Sequence, residues 1–187
     1  MIRIVDSRVA YEGYAKVTVL TLQDGDGEAH RREVVSRGQA VCVLPYDAER
    51  RVAMLVRLPR APLLLAGEPG LLTEAPAGMI DSGESAEAAA RREAMEETGV
   101  ALRDLEPVAI CWSSPGLLDE RIHLFLAPYG ASDRKGPGGG LAEEHEGITV
   151  TETPLVGLWR DCERGEVRDL KTFALVLALR ARRPDLF

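Results

Sequence analysis

Acidic residues are concentrated between Gly78 and Val100, where an arginine and several glutamates recur at helical spacing. Glu93, Glu96 and Glu97 are three and four positions apart, so on a helix they share one face. Like charges in this arrangement repel each other and destabilise a helix unless a cation neutralises them. Carboxylate oxygens are the ligands that hard divalent ions such as Mg²⁺ prefer, commonly together with substrate phosphates. The segment therefore predicts a divalent metal site that acts on a phosphorylated compound.

The alternative is that these glutamates form an ordinary solvated face of an acidic helix. Seven positions, however, carry a glycine, glutamate or arginine at fixed intervals. With background frequencies of roughly 5–10% for each residue type, a chance match at one starting point is on the order of 10⁻⁸. We therefore favour a functional motif. Its positions are Gly78, Glu84, Arg92, Glu93, Glu96, Glu97 and Gly99.

A loop followed by a helix must present these side chains. Ser85 is a suitable N-cap, because its hydroxyl can accept a hydrogen bond from the first helical turn. Gly99 is a suitable C-terminal stop, because glycine readily adopts the left-handed conformation that ends helices. Ala88 and Met95 lie roughly opposite the glutamates on this helix, so we expect them to face the core.

The pattern resembles the Nudix box, G-x5-E-x7-R-E-U-x-E-E-x-G-U with U an aliphatic residue, and matches it at every fixed position. Only Ala94 is smaller than the aliphatic residue usual at its position. The resemblance implies a Nudix hydrolase, an enzyme that cleaves a nucleoside diphosphate linked to another group. It also implies an α/β fold in which a mixed β-sheet is sandwiched between helices.

The resemblance further implies roles for individual residues of the box. About two or three Mg²⁺ or Mn²⁺ ions are expected, with Glu93, Glu97 and the backbone carbonyl of Ala77 as ligands. Arg92 is expected to orient the glutamates instead of touching substrate, and its alternative is an ordinary surface ion pair. Glu96 is either an outer metal ligand or a partner of Arg92. We count Arg92 and Glu96 among the catalytic residues.

A carboxylate on a loop is a candidate for the general base that pyrophosphate hydrolysis needs. The glycine-rich residues 135–140 predict a mobile loop, and Glu143, Glu144 and Glu146 follow it. By resemblance to sugar-nucleotide Nudix enzymes, Glu144 is the general base and Glu146 is a metal ligand that depends on substrate. His145 is a weaker candidate base. The alternative is a solvated acidic loop.

Arginine suits phosphate recognition because its guanidinium donates two parallel hydrogen bonds. Arg57 and Arg60 lie in the segment V-R-L-P-R, which resembles the V-R-Q-x-R segment of these enzymes but departs from it at Leu-Pro. Both are expected to contact substrate phosphates; the alternative is ordinary surface charge. Glu74, just before the box, and Glu120, after the sequence S-P-G, are further substrate-binding candidates by resemblance.

Segments that flank the box predict the substrate. Residues 74–78 (E-A-P-A-G) and 114–116 (S-P-G) resemble the Nudix branch that acts on nucleoside diphosphate sugars, and residues 165–172 resemble GDP-mannose pyrophosphatases. A substrate of the GDP-mannose or ADP-ribose type is expected, with a nucleoside monophosphate and a sugar phosphate as products. The alternatives are a Nudix hydrolase of another nucleoside diphosphate derivative, a non-catalytic sensor that binds a sugar nucleotide, and an unrelated acidic interaction protein.

The composition of the 187-residue chain argues against some classes of binding partner. A net charge of −7 argues against a nucleic-acid surface, which needs a basic patch. The most apolar stretch, residues 61–72, is too short and too interrupted to span a membrane. Cys42, Cys111 and Cys162 have no C-x-x-C pairing, so we expect buried, reduced thiols in a cytoplasmic protein.

The chain is predicted to consist of an N-terminal antiparallel β extension, residues 1–38, and a Nudix domain, residues 39–187. Residues 24–27 (D-G-D-G) are a strong hairpin turn between two β-branched segments. By resemblance, the extension packs against a second subunit, so a homodimer is implied. The alternative is that the extension covers its own domain.

Overall fold

The computed structural model describes residues 1–141 and 147–187. Strands and helices intermix along the chain, so the predicted α/β class is confirmed. The strands are β1 (Ile2–Glu12), β2 (Lys16–Asp24), β3 (His30–Ser36), β4 (Gln39–Asp47), β5 (Val52–Pro59), β6 (Leu71–Glu74), β7 (Ala77–Met79), β8 (Glu106–Trp112), β9 (Arg121–Pro128) and β10 (Thr149–Pro154). The helices are α1 (Ala61–Leu65), α2 (Ala86–Thr98), α3 (Leu155–Glu163) and α4 (Leu170–Arg182).

Residues 1–39 and 110–122 form one compact unit. Its three-stranded sheet has the order β1-β2-β3 with antiparallel neighbours, and the predicted hairpin turn joins β2 to β3. Segment 110–122 lies outside the predicted extension. It joins the unit because Leu117 and Asp119 exchange backbone hydrogen bonds with Val35 and the Asp119 carboxylate accepts a bond from the Ser36 hydroxyl at 2.7 Å.

Residues 40–109 and 123–187 form the second compact unit. Its sheet has the order β10-β5-β4-β9-β8, with β6 paired to β5 and β7 paired to β4. Both β6 and β10 run antiparallel to β5. The segment just before the acidic helix consists of β6 and β7. The sheet places this segment beside β5 and β4, the two strands that precede it in the sequence.

Side chains alternate between the two faces of this sheet. On one face, a buried apolar cluster packs β4, β5 and β9 against α2; it includes Val41, Val43, Met54, Ala89, Ala90, Ala94, Phe125 and Ala127. Leu55 points the opposite way from its neighbour Met54 and lies near Leu158 of α3 and Thr172 of α4. The sheet is thus covered by helices on both faces, as predicted.

The prediction that Ala88 and Met95 face the core is wrong. Ala88 is exposed, and Met95 is 37% exposed. The buried positions of α2 include Ala90 and Ala94, which lie beside the glutamate face, and Glu97 itself is only 3% exposed. The glutamates face the protein because small alanines let this helix approach the sheet closely, so the opposite side of the helix is left in solvent.

Two further predictions need correction. Residues 135–140 were expected to be mobile, but the N–H groups of Gly139 and Gly140 donate to the carbonyls of Glu97 and Glu96 at 2.9 and 3.0 Å. The last carbonyls of a helix lack intrahelical donors, and this segment supplies them. Cys111 is exposed instead of buried, because it lies near the end of β8, where successive residues are all exposed; Cys42 and Cys162 are buried as expected, and all three thiols are free.

Candidate active site

Helix α2 begins and ends at the predicted residues. The Ser85 hydroxyl accepts a hydrogen bond from the backbone N–H of Ala88 at 3.1 Å. Gly99 follows the helix with φ of 72°, and its N–H donates to the Met95 carbonyl at 2.9 Å. The N-cap and the C-terminal stop are therefore confirmed, and they determine which residues of the box are helical.

Arg92 lies at the centre of the acidic residues. Its guanidinium forms two hydrogen bonds with the Glu84 carboxylate, at 3.1 and 3.0 Å, and donates to Glu93 at 2.8 Å and to Glu96 at 3.2 Å. A further bond reaches the backbone carbonyl of Met79 at 2.9 Å. One cation thus holds three carboxylates and the loop that precedes the helix, which offsets the repulsion expected from the glutamates.

The charges around Arg92 shift the affinity of these groups for protons. The hydrogen bonds to Glu84 are the main reason why the pKa of Arg92 is raised above its ordinary value; desolvation of the guanidinium opposes this shift. Reciprocally, the Arg92 guanidinium lowers the pKa of the Glu84 carboxyl below its ordinary value of 4.5. The stability that this pair contributes is present above the ordinary pKa of glutamate and is lost as the pH falls through the lowered pKa of Glu84.

Replacing Arg92 by lysine is expected to lower the free energy of unfolding by about 2 kcal/mol, because one ammonium cannot make the forked contacts of the guanidinium. Thermal melts at neutral pH measure this loss, and the difference from the unsubstituted chain should shrink in acid as Glu84 is protonated. Arg91→Lys is the matched control, since the neighbouring Arg91 is exposed and, among the described residues, its side chain donates to backbone carbonyls only. Equal melting temperatures for the two variants would contradict this role for Arg92.

Glu97 and Glu93 meet the backbone just ahead of the box. The Glu97 carboxylate, almost fully buried, accepts a hydrogen bond from the N–H of Ala77 at 3.1 Å. Glu93 lies against Gly78 so closely that a Cβ at Gly78 would collide with its carboxylate. Pairing of β7 with β4 keeps Ala77 and Gly78 in place. The structure therefore brings together the three metal-ligand candidates that lie within its described residues.

Glu74 and Arg60 contact each other. The Arg60 guanidinium donates to the Glu74 carboxylate at 2.6 and 3.0 Å, and Glu74 is only 2% exposed. Lys171 of α4 donates to Glu74 at 3.0 Å and to Asp169 at 2.6 Å. Burial opposes the charge of Lys171, but attraction to Asp169 and Glu74 raises its pKa above the ordinary value. The two substrate-binding candidates thus belong to one partly buried charge network, in which Glu74 is the buried member.

The same network supports the segment that leads into the box. The Thr172 hydroxyl donates to Asp169 at 2.6 Å and accepts a bond from the N–H of Ala75 at 2.7 Å. Asp169 also caps α4 by accepting from the N–H of Thr172. Sequence analysis placed Asp169 and Lys171 only within the segment 165–172 and gave neither a role in the site. The sequence R-D-L-K-T, which contains an acid and a base two positions apart, was the available signal.

Four predicted site residues remain: Arg57, Glu120, Glu144 and Glu146. Arg57 lines a groove on the face of the sheet that carries Leu55. Glu120 belongs to the N-terminal unit, where its carbonyl accepts a bond from the N–H of Ser113 at 3.2 Å. Glu144 and Glu146 lie outside the described residues, so their assignments stay predictions.

The residues present fit a hard divalent cation. Within residues 1–141 and 147–187, no set of three or more histidine, cysteine, aspartate or glutamate side chains is arranged to hold a metal. The carboxylates of Glu93 and Glu97 lie against the backbone just ahead of the box, at Gly78 and at the N–H of Ala77, and the Ala77 carbonyl is the third oxygen donor that the resemblance implies. This is the donor chemistry that Mg²⁺ and Mn²⁺ take, with the remaining positions supplied by water and phosphate.

Comparison with known proteins gives consistent matches. A family model described as the NUDIX domain matches residues 36–180. A GDP-mannose pyrophosphatase of Cronobacter sakazakii is 39% identical over 164 residues, which cover 87% of this chain and 84% of that protein. A GDP-mannose pyrophosphatase of Citrobacter koseri is 39% identical over 158 residues, covering 84% and 81% of the two chains.

Among solved structures, an ADP compounds hydrolase superposes with a TM-score of 0.78 at 19% identity, covering 98% of this chain and 95% of that one. At this identity the likeness shows the fold. In the described part of the chain, no helix is both long enough and apolar enough to cross a membrane.

Proposed function

The chain belongs to the NUDIX family, in its nucleoside diphosphate-sugar branch, and we propose that it hydrolyses the pyrophosphate of a nucleoside diphosphate sugar to a nucleoside monophosphate and a sugar phosphate. The observation that carries this proposal is the convergence of Glu93, Glu97 and Ala77 beside the Arg92 network. Similarity to GDP-mannose pyrophosphatases favours a GDP-mannose substrate over one of the ADP-ribose type.

The proposed cofactor is Mg²⁺ or Mn²⁺, held by Glu93, Glu97 and the Ala77 carbonyl, with Glu146 as a ligand in the presence of substrate. A bound divalent ion at such a site neutralises phosphate oxygens and lowers the pKa of coordinated water. Arg92 keeps Glu93 and Glu96 oriented before substrate arrives, so that little reorganisation is needed during the reaction. Glu96 is accordingly proposed to act as the hydrogen-bond partner of Arg92.

Positioning of the phosphates is proposed for Arg60. Its Nε and one terminal nitrogen are held by Glu74, while the second terminal nitrogen makes no such bond to that carboxylate. Glu74 thus fixes the direction of the guanidinium, and Arg60 can donate to a phosphate oxygen without losing its anchor. Glu144 is proposed to accept the proton of the attacking water, and Glu120 remains a proposed substrate contact.

Hydrolysis of a substrate panel tests this function. Purified protein is incubated with Mg²⁺ and GDP-mannose, ADP-ribose or ADP-glucose, and release of the nucleoside monophosphate is followed by ion-exchange chromatography. We expect release of GMP from GDP-mannose to have the highest kcat/KM. Absence of release from all three compounds, with binding still measurable by calorimetry, would instead support the sugar-nucleotide sensor.

We also propose that the N-terminal unit mediates a homodimer. Strand β1 is an edge strand of its sheet, and its apolar side chains are exposed, with Ile4 at 61% and Tyr11 at 60%. Long exposed apolar edges promote association unless another chain covers them. The resemblance implies that this sheet packs against a second subunit, so a second copy of this chain is the proposed partner.

Light scattering coupled to size-exclusion chromatography is expected to give about twice the 20.3 kDa of one chain. Replacing Ile4 by lysine should shift the protein toward monomer, because a charge then lies in the apolar contact. Arg31→Glu, a charge change at another exposed position of the unit, is the control. A monomeric mass for the unsubstituted chain would refute the dimer.

A further inference from the structure

A groove of about 450 Å³ lies on the face of the sheet opposite α2. Its floor comes from neighbouring strands: Arg57 of β5 is paired with Thr73 of β6, and Leu55 of β5 is paired with Thr151 of β10. Cross-strand partners share a face, and residues two apart on a strand do too, so these side chains point the same way. Met54, one position from Leu55, packs against α2 on the other face.

The walls of the groove come from α3, α4 and the loop between them. They are formed by Leu158, Asp161, Glu166, Val167, Arg168 and Thr172. The loop is closed by a hydrogen bond from the N–H of Glu166 to the carbonyl of Asp161 at 2.8 Å and by the left-handed Gly165. A volume of this size falls within the range of about 300–1,000 Å³ typical of small-molecule sites.

Arg57 is the distinctive group of this groove. Within the described residues its guanidinium makes no hydrogen bond or ion pair, whereas Arg168, in the wall of the groove, is paired with Glu68 at 3.1 Å. The hydroxyls of Thr73 and Thr153 likewise have no hydrogen-bond partner in the described part of the chain. A concave surface therefore presents a charged fork and two hydroxyls whose hydrogen-bonding capacity no residue within 1–141 and 147–187 uses.

The lining favours one chemical class of ligand. Arg57 suits a phosphate, which it can bind through two parallel hydrogen bonds. Asp161 and Glu166 are acceptors for sugar hydroxyls, and the threonines can both donate and accept. Leu55, Leu71 and Leu158 offer an apolar surface for the C–H face of a ring. A bare phosphate would leave the two carboxylates without a role, whereas the hydroxyls of a sugar phosphate can donate to them.

We propose that this groove is a second binding site, separate from the metal site, and that it takes a hexose monophosphate with its phosphate on Arg57. The site assignment rests on the lining residues and holds whether or not the chain hydrolyses nucleotide sugars. It also gives Arg57 a role other than the predicted contact with substrate phosphate, since its face of the sheet is the one away from α2.

Calorimetric titration of the full chain with mannose 1-phosphate in excess EDTA tests the proposal, because chelation removes the divalent ions that would retain a phosphate at the box. Saturable binding is expected. Arg57→Met should weaken it at least tenfold, and Thr153→Val, which preserves the shape of the side chain, should weaken it severalfold. Arg31→Met, at an exposed arginine of the N-terminal unit, is the charge-matched control and should bind like the unsubstituted chain. Melting temperatures confirm that each variant is folded.

Three results would overturn the assignment. The first is the absence of binding up to about 10 mM ligand. The second is equal affinity for mannose without the phosphate, since Arg57 would then contribute nothing. The third is binding that is lost in Glu97→Gln but retained in both Arg57→Met and Thr153→Val, which would place the ligand at the metal site. Hydrolysis of the nucleotide-sugar panel is measured separately, so failure of the proposed activity is distinguishable from failure of this site.

Discussion

The substitution Glu97→Gln is expected to lower kcat by about a thousandfold or more without disturbing the fold. Glu97 is almost fully buried, and its carboxylate accepts a hydrogen bond from the N–H of Ala77 at 3.1 Å. A glutamine side chain has the same shape, and its amide oxygen can accept the same bond. The substitution therefore retains the contact with Ala77, removes the negative charge that a divalent cation needs from its ligand, and replaces one carboxylate oxygen by an NH₂ group that cannot bind a cation.

Steady-state kinetics over a range of Mg²⁺ concentrations, together with thermal melts, distinguish the two contributions of Glu97. We expect a large fall in kcat, a higher Mg²⁺ requirement and a melting temperature within a few degrees of the unsubstituted chain. Glu87→Gln removes the same charge from an exposed position in the first turn of α2 and should leave kcat unchanged. A fall of less than tenfold for Glu97→Gln would refute its assignment as a metal ligand.

The acidic helix could be predicted in detail because its determinants are local. Ser85, Gly99 and the contact between Arg92 and Glu96 all depend on residues within one helix or directly beside it. Local hydrogen bonds of this kind follow from spacing along the chain. The orientation of the helix could not be predicted from spacing alone. In the structure the glutamates face the protein and Met95 faces solvent. That orientation depends on the packing of the α2 alanines against the sheet.

Contacts between distant parts of the sequence could not be predicted. The bond from Lys171 to Glu74 joins residues 97 positions apart, and no periodic pattern relates them. Segment 110–122 joins the N-terminal unit through backbone hydrogen bonds with Val35, which carry no side-chain signature, and through the bond between Ser36 and Asp119, which are 83 positions apart. The position of Arg57 depends on the strand register of β5 with β6. A motif places Arg57 near a phosphate, whereas the register decides on which face of the sheet it lies.

The substitution Glu144→Gln is expected to lower kcat by roughly a hundredfold, the contribution typical of a positioned general base. The argument comes from the sequence: Glu144 follows Gly140 by four positions, and the N–H of Gly140 is bonded to the carbonyl of Glu96 at 3.0 Å. The chain is thus anchored on α2, beside the proposed metal ligands, shortly before the proposed base. Because a proton acceptor is lost and no metal ligand is, the Mg²⁺ affinity measured without substrate should not change.

Comparison with two neighbouring substitutions separates the base from a ligand. Glu146→Gln is expected to raise the Mg²⁺ concentration needed for half-maximal rate in the presence of substrate, because it removes a ligand that substrate recruits. Glu143→Gln carries the same charge change and should leave both quantities unaltered. Loss of the acidic limb from the profile of kcat/KM against pH should be confined to Glu144→Gln, since that limb reports protonation of the free base. If the limb and kcat survive in Glu144→Gln but disappear in His145→Gln, the imidazole is the base, and Glu144 belongs to the solvated surface of its loop.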